Sequence, residues 1–167
     1  MSDTISFMLK TAAGQVFPAM AGFLAKGKAH AEATGVEEAV FMQHRLAPNM
    51  FALPTQVQIA TDILALGGSR IAGVEGPSLP DNETSFDELI ARIKTRLEYV
   101  QTLDAVALDA DPDAVIEFPV GDSTMSLPRR IYLATFLLPN LYFHASTAYG
   151  LLRAQGVDIG KRDFLTG

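Results

Sequence analysis

The stretch "LPNLYFHASTAYGLLRAQG", Leu138 to Gly156, decides the fold class. It is nearly all apolar or aromatic and it ends in a glycine, which is typical of a buried helix with a glycine stop. Its single imidazole is His144, with Asn140 one helical turn before it and Thr147 one turn after it. Two interpretations of His144 are open. It is either part of a metal or catalytic site or a hydrogen-bonded group inside a helical core.

Apolar residues recur at three- and four-residue steps in three further long segments, which predicts three more helices. A shorter helical segment and one hairpin around "GDS" complete the pattern, and the tail from Val157 is predicted to be irregular. We therefore predict an all-α four-helix bundle with a short extra helix and a small β-hairpin before the last helix, as one domain over residues 1–167. The predicted elements are helices at about 4–34 (bent at Pro18), 36–45, 54–74, 85–103 and 129–155 (kinked near Pro139), and a hairpin within 114–128.

Composition narrows the function classes. The chain has 167 residues, 49% of them hydrophobic, and a formal net charge of -6, so it repels phosphate backbones and is not expected to bind nucleic acid. It contains no cysteine, which excludes a thiol nucleophile, a disulfide framework and a cysteine-based zinc site. The N-terminus does not resemble a secretory signal, and the longest apolar run, 131–143, is too short to cross a bilayer. We expect a cytoplasmic protein that does not bind membranes.

The chemistry must come from few residues. There are three histidines, and no two are three or four residues apart, so the usual helical metal motifs are absent. If two polar stripes both face the bundle centre, an imidazole, a carboxylate and an amide could converge there. The stripes are Thr55, Gln58 and Asp62 on the third segment, and Asn140, His144 and Thr147 on the last helix.

A site formed by His44, His144 and Asp62 would suit zinc, iron, manganese or nickel. The opposite interpretation is that the stripes are solvated faces and that His144 bonds to a neighbouring polar group. Met50, Phe51, Leu141 and Tyr142 could line a pocket or a dimer face. The candidate ligand-binding residues are His144, His44, Gln58, Asp62, Asn140 and Tyr142, with His144 and His44 as the candidate metal ligands.

Three blocks carry a resemblance to a known family: "HRLAPNMFALPTQVQIATD" (44–62), "AGVEGPSLPD" (72–81) and "LPNLYFHASTAYGLLRAQGVDIGKRDFL" (138–165). They resemble an uncharacterised bacterial domain-of-unknown-function family grouped with the DinB/YfiT-like bundles, a metalloenzyme superfamily. The resemblance implies an up-down-down-up four-helix bundle that often forms a homodimer. Many relatives in the wider group bind a divalent metal through three histidines, one on the second main helix and an HxxxH pair on the last. Some of them are thiol-dependent transferases.

This sequence departs from the three-histidine pattern. Gln56 and Gln58 stand where the second-helix ligand is expected, and Ala148 stands four residues after His144. The first hypothesis is therefore a small-molecule-binding protein with a degenerate metal site at the bundle centre. The alternative is a divalent-metal-dependent hydrolase or thiol transferase that uses a rewired His144/His44 site. Whether the protein is an enzyme stays open at this point.

Overall fold

The structure is a computed structural model that describes residues 4–166. Four long helices form the body, and the additional elements are short. In chain order the elements are α1 (Thr4–Thr34), α2 (Glu38–Gln43), α3 (Leu53–Ala72), α4 (Phe86–Thr102), α5 (Ala105–Leu108), β1 (Val115–Val120), β2 (Ser123–Pro128), α6 (Arg129–Tyr132), a π-helical turn (Leu133–Leu137), α7 (Leu138–Ala154) and α8 (Lys161–Thr166). The all-α bundle with a small hairpin before the last long helix is confirmed.

The relative directions of the long helices follow from residues that meet across them. Lys10 of α1 bonds to the Gln101 carbonyl of α4, and Lys28 pairs with Asp87, so α1 and α4 are antiparallel. Along α3 and α4 the pairing advances in the same direction, because Asp62 meets Arg92 and Ser69 meets Tyr99. These two helices are therefore parallel, although they follow each other in the chain.

The fourth long helix closes the bundle. Gln56 of α3 meets His144 of α7, and Gly67 lies against Leu137 at the start of α7, so α3 and α7 are antiparallel. The order is thus up, down, down, up for α1, α3, α4 and α7, as predicted. Each long helix packs between two others, and a shared apolar core fills the space between them.

The parallel α3–α4 pair requires a long connection. An α3 of 20 residues is about 30 Å long, and the chain must return along most of that length before α4 can begin. The segment 73–85 does this in extended form, after Gly73 has ended α3 in the left-handed conformation with φ of 72°. Ser85 and Glu88 then form a capping box at the start of α4.

The predicted last helix is interrupted before Pro139. Proline has no N–H and its ring clashes with the preceding turn, and the chain responds with the π-helical turn Leu133–Leu137. The side-chain amide of Asn140 donates to the Phe136 carbonyl at 2.7 Å and so satisfies an acceptor in this wide turn. By contrast, α1 continues through Pro18 as one helix.

The prediction of an irregular tail was wrong. Residues 161–166 form α8, which packs on α1 through a hydrogen bond from Gln15 to the Phe164 carbonyl at 2.7 Å and an ion pair between Lys26 and Asp163 at 2.6 Å. Short helices of this kind depend on tertiary contacts more than on their own sequence. Within residues 4–166, no helix is long and apolar enough to span a bilayer.

Candidate functional site

A cluster of charges is buried between α3 and α4. Asp62 accepts a hydrogen bond from Arg96 Nε at 2.8 Å with one carboxylate oxygen and from Arg92 Nη2 at 2.8 Å with the other. The two arginine side chains are only 1% exposed, whereas Asp62 is 24% exposed. Arg92 and Arg96 are four residues apart, so they lie on one face of α4 and both reach the same carboxylate.

The same arginines hold the crossover segment 73–85 against α3 and α4. Arg96 donates to the Pro77 carbonyl at 2.6 Å, and Arg92 donates to the Pro80 carbonyl at 3.0 Å. Arg92 also pairs with Asp81 and with Glu83, each at 2.8 Å. The charge cluster therefore orders the long connection that the parallel helix pair needs.

The carboxylates of this cluster are well matched. Burial opposes ionisation of Glu83, but hydrogen bonds from Arg92 and Gln58 outweigh it, so the pKa of Glu83 lies below its ordinary value. Burial also opposes the charge of Arg92, yet Glu83 and Asp62 raise its pKa. Two N–H groups, Arg92 Nε and Arg96 Nη2, are buried without a hydrogen-bond partner in the described part of the chain. Each of its three carboxylates, Asp62, Asp81 and Glu83, pairs with a buried arginine, so we interpret the cluster as structural.

A cavity of about 270 Å³ opens beside the charge cluster, between α3 and the hairpin with its following turn. Gln58 and Asp62, both sequence candidates, line one end of it, and Arg70 lies at the other end. From Gln58 to Arg70 the helix rises about 18 Å, so the cavity is elongated along α3. The residues that line it are Thr55, Gln58, Ile59, Asp62, Ile63, Leu66, Gly67, Arg70, Asp81, Phe118, Pro119, Tyr132 and Phe136.

Three aromatic rings form the wall opposite α3. The ring centroids are 4.4 Å apart for Phe118 and Tyr132, 4.7 Å for Phe118 and Phe136, and 5.6 Å for Tyr132 and Phe136. Such spacings are those of interlocked aromatic clusters, which are rigid apolar surfaces. The hairpin contributes Phe118, α6 contributes Tyr132 and the π-helical turn contributes Phe136, so the short elements before the last long helix build this wall.

Arg70 and Tyr132 form the polar end of the cavity. Arg70 Nη1 donates to the Tyr132 hydroxyl at 2.6 Å, and the guanidinium carbon lies 5.9 Å from the centre of that ring. Tyr132 is fully buried, and burial raises the pKa of its phenol above the ordinary value, although Arg70 acts in the opposite direction. The phenol therefore keeps its proton at neutral pH.

His144 lies on the other side of α3 and does not line this cavity. It is 9% exposed, and its Nδ1 is 2.7 Å from Gln56 Oε1. Gln56 Nε2 donates to the Phe51 carbonyl at 3.0 Å, so its oxygen is the acceptor and His144 Nδ1 carries the proton. Burial lowers the pKa of His144, which keeps the ring neutral at neutral pH. The predicted buried, hydrogen-bonded histidine is present, and its partner is Gln56.

The other sequence candidates do not gather around His144. Asn140 and Thr147 donate to the Phe136 and Phe143 carbonyls of their own helix, and His44 is the C-terminal cap residue of α2. Tyr142 is 41% exposed and lines a shallow groove with residues of α1. The two polar stripes thus satisfy separate partners, and the α3 stripe lines the cavity beside the charge cluster.

The donor set at the bundle centre differs from the three-histidine metal site that the resemblance implies. His144 faces an amide whose oxygen is already hydrogen-bonded, and position 148 is a buried alanine. Across residues 4–166, no group of three or more histidine, aspartate or glutamate side chains is arranged to hold a metal ion. The residues present do not fit a three-histidine centre.

Sequence reasoning missed the two buried arginines and the aromatic end of the cavity. Arg92 and Arg96 share a face of α4 with an apolar neighbour, Ile93, which was a usable signal of burial. The convergence of Phe118 and Tyr132 on Arg70 had no local signal, because it joins segments far apart in the chain.

Comparisons with known proteins agree with this architecture. The model of the domain of unknown function DUF1993 matches residues 9–165. Among solved structures, the chain is similar to a DinB family member protein from Shewanella denitrificans, with 29% sequence identity and a TM-score of 0.86 over 100% of this chain and 97% of that one. A comparison with curated proteins gives no match. The chain therefore belongs to the DUF1993 family and has a DinB-like helical bundle.

Proposed function

We propose that the protein binds a small organic molecule in the cavity between α3 and the hairpin, and that its bundle centre is a degenerate metal site. The observation that carries this proposal is the cavity itself, about 270 Å³ in volume and walled by apolar and aromatic side chains with polar groups at its two ends. Ligand sites in proteins have this composition, since apolar walls supply affinity and a few polar groups fix orientation.

The degenerate centre is supported by the pair that occupies it. Gln56, at a position where the resemblance places a metal ligand, bonds instead to His144 Nδ1. A neutral imidazole and an amide satisfy each other without any ion. We therefore propose that the protein retains the helical bundle of the group but binds its ligand beside α3. Residues 1–167 act as one domain in this proposal.

The alternative function is a divalent-metal-dependent hydrolase or thiol transferase that uses His144 and His44. One feature favours it, namely that Nε2 of the neutral His144 ring keeps its lone pair when Nδ1 donates to Gln56. Elemental analysis of protein purified without chelator, beside the His144→Ala and His44→Ala variants, separates the two functions. We expect no stoichiometric transition metal, even after exposure to zinc, nickel and manganese. Metal near one equivalent, lost in either variant, would establish the alternative.

The binding proposal is tested by methyl-resolved NMR with a panel of small aromatic acids, amides and amines. We expect shifts of the Ile59, Ile63 and Leu66 methyl groups, which lie along the α3 wall. Ile63→Trp should fill the cavity and remove the response, whereas Val106→Trp, at a site 65% exposed and outside the cavity, should leave it unchanged. A panel that shifts no cavity methyl, or that acts equally on the filled variant, contradicts the proposal.

We further propose that the protein is a homodimer in the bacterial cytoplasm. Support for the dimer comes from the α1–α7 surface, where Phe7 is 65% exposed, Tyr142 is 41% exposed and Met8 is 38% exposed, around a shallow groove. Sedimentation equilibrium should give twice the chain mass for the parent protein and a smaller mass for Tyr142→Glu. A monomeric parent protein would contradict it.

A further inference from the structure

We propose that the cavity selects a carboxylate that carries an aromatic or apolar body, with the carboxylate held by Arg70, which Tyr132 positions. The inference rests on the proposed binding function and specifies the ligand for the same cavity. It is carried by the distribution of matched and unmatched charges among the residues that line it.

The acidic residues of the cavity are already paired. Asp62 accepts hydrogen bonds from two buried arginines, and Asp81 pairs with Arg92 at 2.8 Å. Their negative charge is neutralised inside the protein, so a cationic ligand would have to compete with guanidinium groups that are fixed in place. The acidic net charge of the chain therefore does not determine what this cavity accepts.

Arg70 is the unmatched charge of the cavity. Its one side-chain hydrogen bond within residues 4–166 is to the Tyr132 hydroxyl, and no carboxylate of that range lies within ion-pair distance of it. A guanidinium has five N–H donors, so most of its donors remain for a ligand. Planar, bidentate recognition of a carboxylate is what this group does best.

Tyr132 fixes the position of Arg70. Its hydroxyl accepts a hydrogen bond from Arg70 Nη1 at 2.6 Å, and the tyrosine side chain is fully buried. The buried phenol therefore holds the guanidinium at the end of the cavity that both residues line. A carboxylate can accept two hydrogen bonds from this guanidinium, whereas an amide offers only one oxygen and no charge, and an amine would be repelled.

The remainder of the ligand has to match an apolar slot. Phe118 and Phe136 form one wall, and Ile63 and Leu66 form the other. A flat ring joined to a carboxylate by a short chain fills such a slot and reaches Arg70. The chemical class is thus an aryl or branched-alkyl carboxylic acid.

The test is titration calorimetry with three probes that share one body: 3-phenylpropanoate, 3-phenylpropanamide and 3-phenylpropylamine. We expect the acid to bind at least about tenfold more tightly than the amide, since a charge-assisted pair is lost, and the amine to bind most weakly. Raising the salt concentration should lower the affinity for the acid and leave the affinity for the amide unchanged.

Variants then assign the effect to Arg70. Arg70→Gln should lower the affinity for the acid by about tenfold and leave the affinity for the amide unaffected. Tyr132→Phe should lower the affinity for the acid by a smaller factor. Arg130→Gln makes the same change of charge at an exposed residue outside the cavity lining, and it should have no effect.

The outcomes separate this inference from the proposed function. Equal binding of acid and amide in the cavity, or an Arg70→Gln variant with unchanged affinity for the acid, overturns the inference and leaves the binding function standing. If none of the three probes shifts a cavity methyl group, both fail. If Arg70→Gln does not fold, the acid-to-amide ratio and the salt dependence of the parent protein decide the matter without it.

Discussion

Two buried polar clusters flank α3, and they differ in charge and in what they organise. Towards α4, Asp62 joins two arginines and, through them, the crossover segment 73–85. Towards α7, Gln56 and His144 form a neutral pair with one further bond to the Phe51 carbonyl. The charged cluster spans three chain segments, whereas the neutral pair joins two helices and the end of the loop that precedes α3.

This difference explains where a ligand site can exist. The cavity lies beside the charged cluster, because Asp62 and Asp81 belong to the cluster and also line the cavity. The neutral pair needs only burial, and it lies among side chains that fill the centre. The bundle therefore places its usable cavity on the side where its charges are, although the resemblance placed the chemistry at the histidine.

The largest expected effect is that of Asp62→Asn. Asparagine keeps one acceptor oxygen for only one of the two buried guanidinium groups and points an NH2 group at the other, and the negative charge between them is lost. Breaking a buried pair in this way costs about 3 to 5 kcal/mol. Urea unfolding measures the loss. Asp113→Asn, which breaks an ion pair with both side chains 62% exposed, is the control and should cost less than about 1 kcal/mol. Similar losses of unfolding free energy for both variants would show that the buried cluster contributes no more to stability than an exposed ion pair.

A steric reference on α3 comes next. Gly67 packs against Leu137, and an added Cβ would overlap that side chain, so Gly67→Ala should destabilise the protein by about 1 to 3 kcal/mol. Gly150 is the matched glycine on α7, where an added Cβ has its nearest neighbour at 3.8 Å. Gly150→Ala should be neutral or slightly stabilising, because alanine favours a helix. Thermal melting of the two variants checks the pair, and equal melting temperatures would contradict the close approach.

The neutral pair should show a smaller and compensable effect. His144→Leu leaves the buried oxygen of Gln56 without its donor and should cost about 1 to 2 kcal/mol. Replacing both partners, in the double variant Gln56→Leu/His144→Leu, should recover part of that loss, since no polar group is then left unpaired between them. Urea unfolding of the two single variants and the double variant measures this coupling. Additive losses would mean that the hydrogen bond contributes nothing.

The pH dependence of the same pair should be the smallest effect. The native pKa of His144 lies below its ordinary value of 6.5, because burial disfavours the cation. The unfolded state therefore binds the proton first as the pH falls. The contribution of this group is fully present above pH 6.5 and is lost as the pH decreases from there through the lowered native pKa. The loss cannot exceed about 1.4 kcal/mol per pH unit.

Urea unfolding between pH 7.5 and 5 checks this component. The parent protein should lose stability more steeply than His144→Leu, so the difference between them narrows in acid. Parallel curves would mean that His144 does not change its protonation preference on folding.

The sequence predicted the features that depend on local chemistry. Periodicity predicted the long helices, including an α4 that begins at about residue 85. His144 was expected to be buried because it lies within an apolar helix. Each of these signals is contained within a few neighbouring residues.

The remaining features depend on which helices become neighbours. The burial of Arg92 can be explained only when α3 and α4 are known to be parallel, because that arrangement places Asp62 beside it. The cavity is lined by Phe118, Tyr132 and Arg70, and no spacing in the sequence predicts that these residues come together. The last turn of the chain, α8, is helical because α1 offers it partners. These are tertiary effects, and a single sequence carries them only implicitly.

The most direct test of the account is a crystal structure of the protein with 3-phenylpropanoate. We expect the carboxylate within hydrogen-bond distance of the Arg70 guanidinium, and the ring between Phe136 and Ile63. A ligand that binds instead at His144 or His44, with the cavity beside α3 left empty, would contradict the account.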